Sequence, residues 1–169
     1  MKERIEALLQ ECLNEASGGD LEVLEQLLLG VKNKLHGENP SYITSVLQME
    51  REVDEEQCII TMPINKFTDN GAQMVHGGIT ATLIDTTMGT LANHRLPEGY
   101  GAVTSNLHVH YIAPGVGKSL KAIAKLIHSG SQTMVIESSA FRDDGVKIAH
   151  CTSTFHIVKR QEEVGEGKL

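Results

Sequence analysis

Apolar residues recur at helical spacing in two stretches at the start of the chain. Ile5, Leu8, Leu9 and Leu13 predict a helix over residues 1–17. Leu21, Leu24, Leu27, Leu28 and Val31 predict a second over 20–37, with Asp20 as its N-cap and Ser17-Gly18-Gly19 as the break between them. From residue 42 the pattern changes to strands. Residues 42–48 form one candidate, and residues 58–64 (Cys-Ile-Ile-Thr-Met-Pro-Ile) a second. Asp69-Asn70-Gly71 marks a loop. Residues 77–94 then read as a helix of small side chains, with Ile79, Leu83, Ile84, Met88 and Leu91 as its only bulk, a composition suited to close wrapping by other backbone. Four more strands follow, at about 102–113, 118–128, 132–142 and 146–158, the last three joined by short turns as an antiparallel meander.

Strands segregated from a central helix indicate an α+β fold. The predicted organisation is a helical arm over residues 1–40, one domain over 41–158 and a frayed polar tail over 159–169. At 169 residues the chain is long enough for one real hydrophobic core.

Composition narrows the function. The chain has three Phe, three Tyr and no Trp, and a formal net charge of -7. Scarce aromatics argue against a single-stranded nucleic-acid binder, and acidic balance against a general polyanion binder. Lys2, Arg4, Lys32 and Lys34 face eight Asp and Glu over residues 1–38, so the arm has the wrong sign for a DNA-reading helix-turn-helix. It reads as a packing or oligomerisation element. Cys12, Cys58 and Cys151 form no C-x-x-C pair and read as reduced thiols. With no secretory signal and no apolar run of membrane-spanning length, the expected location is the cytoplasm, with no membrane partner.

The chemistry-bearing residues cluster at the central helix. His76-Gly77-Gly78 stands at its start, where backbone N–H groups lack internal partners and the dipole favours an oxyanion or a polarised carbonyl. A glycine-rich turn merely entering a helix has the same sequence. Asp85 lies among Leu83-Ile84 and Thr86-Thr87-Met88. A carboxylate so placed serves as general base or nucleophile; alternatively it is solvated, or held by threonine hydroxyls. Asn70 offers an amide to a water or a carbonyl, although Asn-Gly is also a common turn pair.

Asn70, His76-Gly77-Gly78, Leu83 and Asp85, followed by strands with Tyr111 and Pro114, resemble the PaaI-type branch of the hotdog-fold thioesterases over roughly residues 42–158. The resemblance implies a curved antiparallel sheet wrapped around a central helix. It further implies a homodimer with two sites at the subunit interface, possibly paired into a dimer of dimers, and hydrolysis of acyl-CoA. Under it, the Gly77 N–H polarises the thioester carbonyl and Asp85 is the base or nucleophile. Asn70 and His76 position carbonyl and water, Gly78 lies beside the substrate, and Thr104 brings a hydroxyl near the carboxylate. The arm is not a general feature of that family.

Spacing supports a shared site. Gly77 and Asp85 are eight residues apart, about 12 Å along one helix, yet both must reach one thioester. Two antiparallel helices related by a dyad satisfy that; one helix does not.

Other readings compete. Lys121 and Lys125 share a strand face and are candidates for CoA phosphates, or simply a solvated sheet edge. His108 with His110, and His150 with His156, also share strand faces, but the following residues Tyr111 to Gly115 hold no carboxylate to complete a metal site. No metal or cofactor is therefore expected. A lipase-like oxyanion loop would need a G-x-S-x-G elbow, which is absent. The rival to an enzyme is a domain that binds acyl-CoA as a sensor without hydrolysing it, or an interaction protein acting through its arm. Sensors of this kind tend to lack the acidic residue.

Overall fold

A computed structural model describes residues 1–160. Two helices open the chain, α1 (Lys2–Glu15) and α2 (Gly18–Leu35). The second starts one turn earlier than the sequence pattern indicated. Ser17, not Asp20, is its N-cap, and Asp20 at the third helical position reaches back to the Ser17 N–H at 3.0 Å. This capping box satisfies an orphan donor at the helix start.

Residues 42–48, expected as a strand, form the short helix α3 (Tyr42–Val46). Its β-branched and aromatic residues favour a strand locally. The Ser41 cap overrides them: Ser41 Oγ accepts the Thr44 N–H at 3.2 Å, and the turn buries Thr44, Ser45 and Leu47. The strand comes later, as β1 (Glu50–Val53), and pairs with β2 (Gln57–Pro63). After a 3-10 turn at Lys66–Thr68 come α4 (Gly77–His94), β3 (Tyr100–Tyr111), β4 (Ser119–Ser129), β5 (Thr133–Arg142) and β6 (Lys147–Lys159). The tail expected over 159–169 falls outside the described residues from 161 onward; Lys159 closes β6.

All six strands form one antiparallel sheet in the order β1-β2-β4-β5-β6-β3. The connection from β2 to β3 crosses nearly the whole sheet, and α4 is the element that makes the crossing. Strand residues of alternate parity point at it, among them Ile60, Ala122, Ile136, Cys151 and Phe155, all buried. From α4 come Leu83, Ile84, Thr87, Met88, Leu91 and Ala92. Register shifts at Thr104/Asn106 in β3 and Leu126/His128 in β4 bend the sheet around the helix.

The arm is held less firmly. No residue of α1 is buried, and Ile5, Leu8, Leu28 and Val31 remain exposed. The second helix docks on α3 through Gln26, whose Nε2 donates to the Val46 carbonyl at 2.6 Å, and through Gly30. Among the described residues no helix is long and apolar enough to cross a membrane.

Two tests follow from this packing. Alanine usually stabilises a helix interior relative to glycine. At Gly30 the sign reverses, because a Cβ would lie 2.7 Å from the Val46 Cα. Gly30→Ala should lower the free energy of docking the arm by about 1–3 kcal/mol, read as faster amide exchange in α2 and a lower melting temperature. The thiols offer the second. Burial pushes Cys58 and Cys151 up to about 11, from an ordinary 9.0, whereas Cys12 is exposed. At pH 8 the native protein should titrate Cys12 alone with an aromatic disulfide, and all three thiols once denatured. The unfolded thiols ionise from pH 9.0 and the folded ones only near 11. This contribution to stability is therefore complete below pH 9.0 and lost as pH rises to about 11, a fall that equilibrium unfolding across that range would read.

Candidate active site

The start of α4 is pinned on both sides before the helix begins. Asp69 and Val75 form a β-bridge, the Val75 N–H donates to the Gly115 carbonyl at 2.8 Å, and the His76 N–H to the Thr68 carbonyl at 2.8 Å. His76 is the N-cap. Its Nδ1 accepts the Gly78 N–H at 3.0 Å, which fixes the lone pair on Nδ1 and, in the neutral ring, the proton on Nε2. The His76 carbonyl accepts from Ile79 N–H at 2.9 Å and Thr80 N–H at 3.1 Å.

Four N–H groups at a helix start need partners from outside the ladder. Here the groups of His76, Gly78 and Ile79 have them, in the Thr68 carbonyl, the His76 ring and the His76 carbonyl. Gly77 N–H alone has no acceptor among the described residues. Gly78, expected beside the substrate, instead spends its N–H on the His76 ring. A Cβ at residue 78 would come within 3.2 Å of Nδ1, so glycine lets the ring fold over the turn. On the far side of Gly77, the Tyr111 hydroxyl donates to its carbonyl at 2.7 Å. Burial raises the Tyr111 phenol above its ordinary value, keeping it a donor. Asn70 sits in the preceding loop. Its Oδ1 accepts the Ala72 N–H at 2.9 Å, which leaves the carboxamide NH2 for other partners.

Asp85 lies two turns further on and is half-buried. The helix threonines do not hold it. Thr82, Thr87 and Thr90 donate back to the carbonyls of Gly78, Leu83 and Thr86. Its partner comes from β3: the Thr104 hydroxyl donates to Asp85 Oδ1 at 2.9 Å. That contact depends on the β3 bulge. Thr104 and Tyr111 are seven residues apart, an odd number that would place them on opposite sheet faces. The register shift after Thr104 restores both to the face of α4, with Thr104 opposite Phe155 and Tyr111 opposite Ala149.

The candidates thus fall into two groups within one chain. Asn70, His76, Gly77 and Tyr111 gather at the start of α4. Asp85 and Thr104 lie on its flank, in a cleft of about 610 Å³ whose lining contains neither His76 nor Gly77. Lys121 and Lys125 join neither group. They alternate with buried Leu120, Ala122 and Ala124, and so stand on the opposite face of the sheet. His110 pairs across with His150, whose Nδ1 meets Ser139 Oγ at 3.1 Å. Among the described residues no three His, Cys, Asp or Glu side chains come together to hold a metal ion. Sequence reasoning missed the Tyr111 bond to Gly77 and the cleft residues Arg51, Asn93 and Arg160. The bulge hides the first; the others are distant in sequence and carry no motif.

Comparison with known proteins bears on the family and the fold. Residues 72–149 match the thioesterase superfamily. The acyl-coenzyme A thioesterase PaaI of Escherichia coli is 34% identical over 86 residues, 50% of this chain, and the match spans only 59% of that protein's length. A Bacillus halodurans protein crystallised with CoA is 36% identical, with a TM-score of 0.84 over 90% of this chain and 99% of that one. A Haemophilus influenzae thioesterase shares the fold at 20% identity, with a TM-score of 0.69 over 80% of this chain and 94% of its own. Residues 72–149 thus carry the thioesterase-superfamily match, with similarity to PaaI, within a chain whose whole fold is that of the hotdog thioesterases.

Proposed function

We propose that this protein hydrolyses acyl-CoA thioesters, in sites shared by two subunits. The observation that carries the reading is the one unpartnered N–H at the start of α4, on Gly77, together with a carboxylate on the same helix that cannot reach it. The thioester carbonyl oxygen takes the Gly77 N–H. As the carbonyl becomes tetrahedral, that donor and the helix dipole stabilise the oxyanion. Asp85 stands on the other side of the carbonyl carbon. Thr104 occupies Oδ1, which leaves Oδ2 directed at the reactants. It either takes a proton from an attacking water or attacks the carbon itself, giving an anhydride that water then opens. Both routes expel the CoA thiolate and end with the free acid. Asn70 and the His76 Nε2–H are donors that steer the carbonyl and the water. Gly78 acts through His76 rather than on the substrate.

The free edge of β3 supports the shared site. Thr104 touches Asp85, and Tyr111 touches Gly77. Two β3 edges paired antiparallel about a dyad near residue 107 or 108 would set Thr104 of one chain opposite Tyr111 of the partner subunit. Asp85 would thereby face Gly77 of the partner subunit.

Thiol release from a panel of acyl-CoAs tests the activity, and Asp85→Asn the mechanism. The substitution keeps shape and removes the base, so kcat should fall about 10²–10⁴-fold while KM changes little. Near-normal kcat would rule out the assignment. Binding of acyl-CoA with no turnover in the natural protein would make it a sensor.

Complementation tests the sharing. Gly77→Pro deletes the N–H at a position that tolerates proline. Neither Gly77→Pro nor Asp85→Asn homodimers should turn over. When equal amounts reassort, roughly half the dimers are mixed and each carries one intact site, so about a quarter of natural activity should return. Mixed dimers proven by two-tag purification yet inactive would exclude a shared site.

A further inference from the structure

The cleft beside Asp85 has a polar far end that hydrolysis itself does not use. Along α4 its floor is Asp85, Thr86, Gly89, Thr90 and Asn93, one continuous helical face. Asp85 and Asn93 are about 12 Å apart along that face. Asn93 is fixed there: its Nδ2 donates to the Gly89 carbonyl at 2.8 Å, and its Oδ1 accepts the Ala102 N–H at 3.2 Å. The same Oδ1 accepts from Arg160 Nη2 at 3.3 Å, which brings a guanidinium to this end of the cleft.

A second guanidinium stands on the facing wall. In the β1–β2 ladder Arg51 is opposite Ile60 and Val53 opposite Cys58. Ile60 and Cys58 are core residues, so Arg51 and Val53 point to the same, inner side, and all but Cys58 line the cleft. Glu50 and Glu52 take the outer side. Neither Arg51 nor Arg160 has a carboxylate within 4.0 Å among the described residues. His94, also at this end, is engaged by Glu55 at 3.7 Å. The cleft lining also includes Met49, Val53 and Ile60, together with Ser41 and Thr44.

The arrangement is a passage of mixed lining, with Met49, Val53 and Ile60 set against Thr86 and Thr90, that runs from the carboxylate of Asp85 to two guanidinium groups without a carboxylate partner among the described residues. A wholly hydrocarbon tail would fill the passage and leave both guanidinium groups, which are exposed, without an anion to bind. A tail ending in a carboxylate would meet them with charge-assisted, bidentate bonds. We infer that Arg51, Asn93 and Arg160 form a subsite for an anionic group at the far end of the acyl chain, so that the preferred substrates are CoA thioesters of dicarboxylic acids. The inference rests on the acyl-CoA reading above. The phosphates of CoA are the other anion in such a substrate. The pantetheine arm that separates them from the thioester is, when extended, longer than the distance from Asp85 to Asn93, which favours the acyl chain as the occupant.

Titration calorimetry with non-hydrolysable S-alkyl-CoA thioethers separates the possibilities. Two matched series of chain lengths are used, one ending in methyl and one in carboxylate. The natural protein should bind the best carboxylate analogue about tenfold more tightly than its methyl partner, the worth of one charge-assisted contact. Arg51→Gln with Arg160→Gln should reduce that preference to about twofold or less, and Arg51→Lys should keep part of it. An arginine that serves only to guard the edge of β1 would leave the ratio unmoved in every variant. Equal binding of the two series by the natural protein overturns the inference and needs no variant. It is equally overturned if the double variant loses affinity alike for both series and for free CoA, since the arginines then read phosphate. The activity assay stands apart from this. A carboxylate preference without turnover on any thioester would refute hydrolysis and leave the subsite; turnover without the preference would refute the subsite alone.

Discussion

A six-stranded sheet can close around one helix only if that helix is thin where the strands approach it. The α4 helix meets the demand with Thr, Ala and Gly, and concentrates its bulk in Leu83, Ile84, Met88 and Leu91. The strands answer with small inward residues of their own, including Ala122, Ala124, Ser138, Ala140 and Ala149. Small groups on both surfaces permit the close approach, and the strand bulges supply the curvature that a flat sheet lacks. The same choice leaves the helix with few large side chains to shield its open flank. Asp85 occupies that flank, half in water and half in protein, where a carboxylate is open to a ligand.

The glycines at the start of α4 have different physical tasks although they are neighbours in a single motif. Gly78 makes room for the imidazole that caps the helix, and its N–H is consumed in doing so. Gly77 keeps its N–H because the His76 ring takes that of Gly78 and the Tyr111 hydroxyl bonds the Gly77 carbonyl instead. One donor is thus singled out by satisfying its three neighbours. A mobile helix start would share the ligand among several donors; this one is pinned by Thr68, Gly115, His76 and Tyr111 to present a single one.

Much of this was legible in the sequence, for identifiable reasons. The bounds of α4 and the meander of β4 to β6 follow from glycine-marked turns and long periodic runs, where local preference and tertiary packing agree. Asp85 stood out as a charge in an apolar and small setting. Residues 42–48 misled because their β-branched composition spoke louder than the Ser41 cap, and a five-residue helix is too short for periodicity to show. The contact of Thr104 with Asp85 was expected from resemblance alone. Alternation forbids Thr104 and Tyr111 to share a face, and only the bulge, which has no glycine or proline to announce it, permits them to. Arg51 was invisible for a related reason. Glu50-Arg51-Glu52 reads as a solvated charge run, and its inward member emerges only once the register against Ile60 is known.

The edge of β3 connects the stability of the fold to its chemistry. It is the longest free edge in the sheet, with twelve residues of strand paired on one side only. An open edge of that length invites further pairing, and proteins that keep one usually protect it with charge or proline. Residues 100–111 contain neither Lys, Arg, Asp, Glu nor Pro. An edge left so unguarded is suited to a defined partner, and a second copy of the same strand is the simplest one, because a dyad closes the assembly and leaves no new edge. The groups that the proposed mechanism would bring together across a dyad are bonded to this same strand, Asp85 through Thr104 and Gly77 through Tyr111. Pairing would satisfy the edge and assemble the reacting groups in a single step. In the proposed dimer, the spacing that separates Gly77 from Asp85 within one subunit is therefore the spacing that would bring them together across the pair.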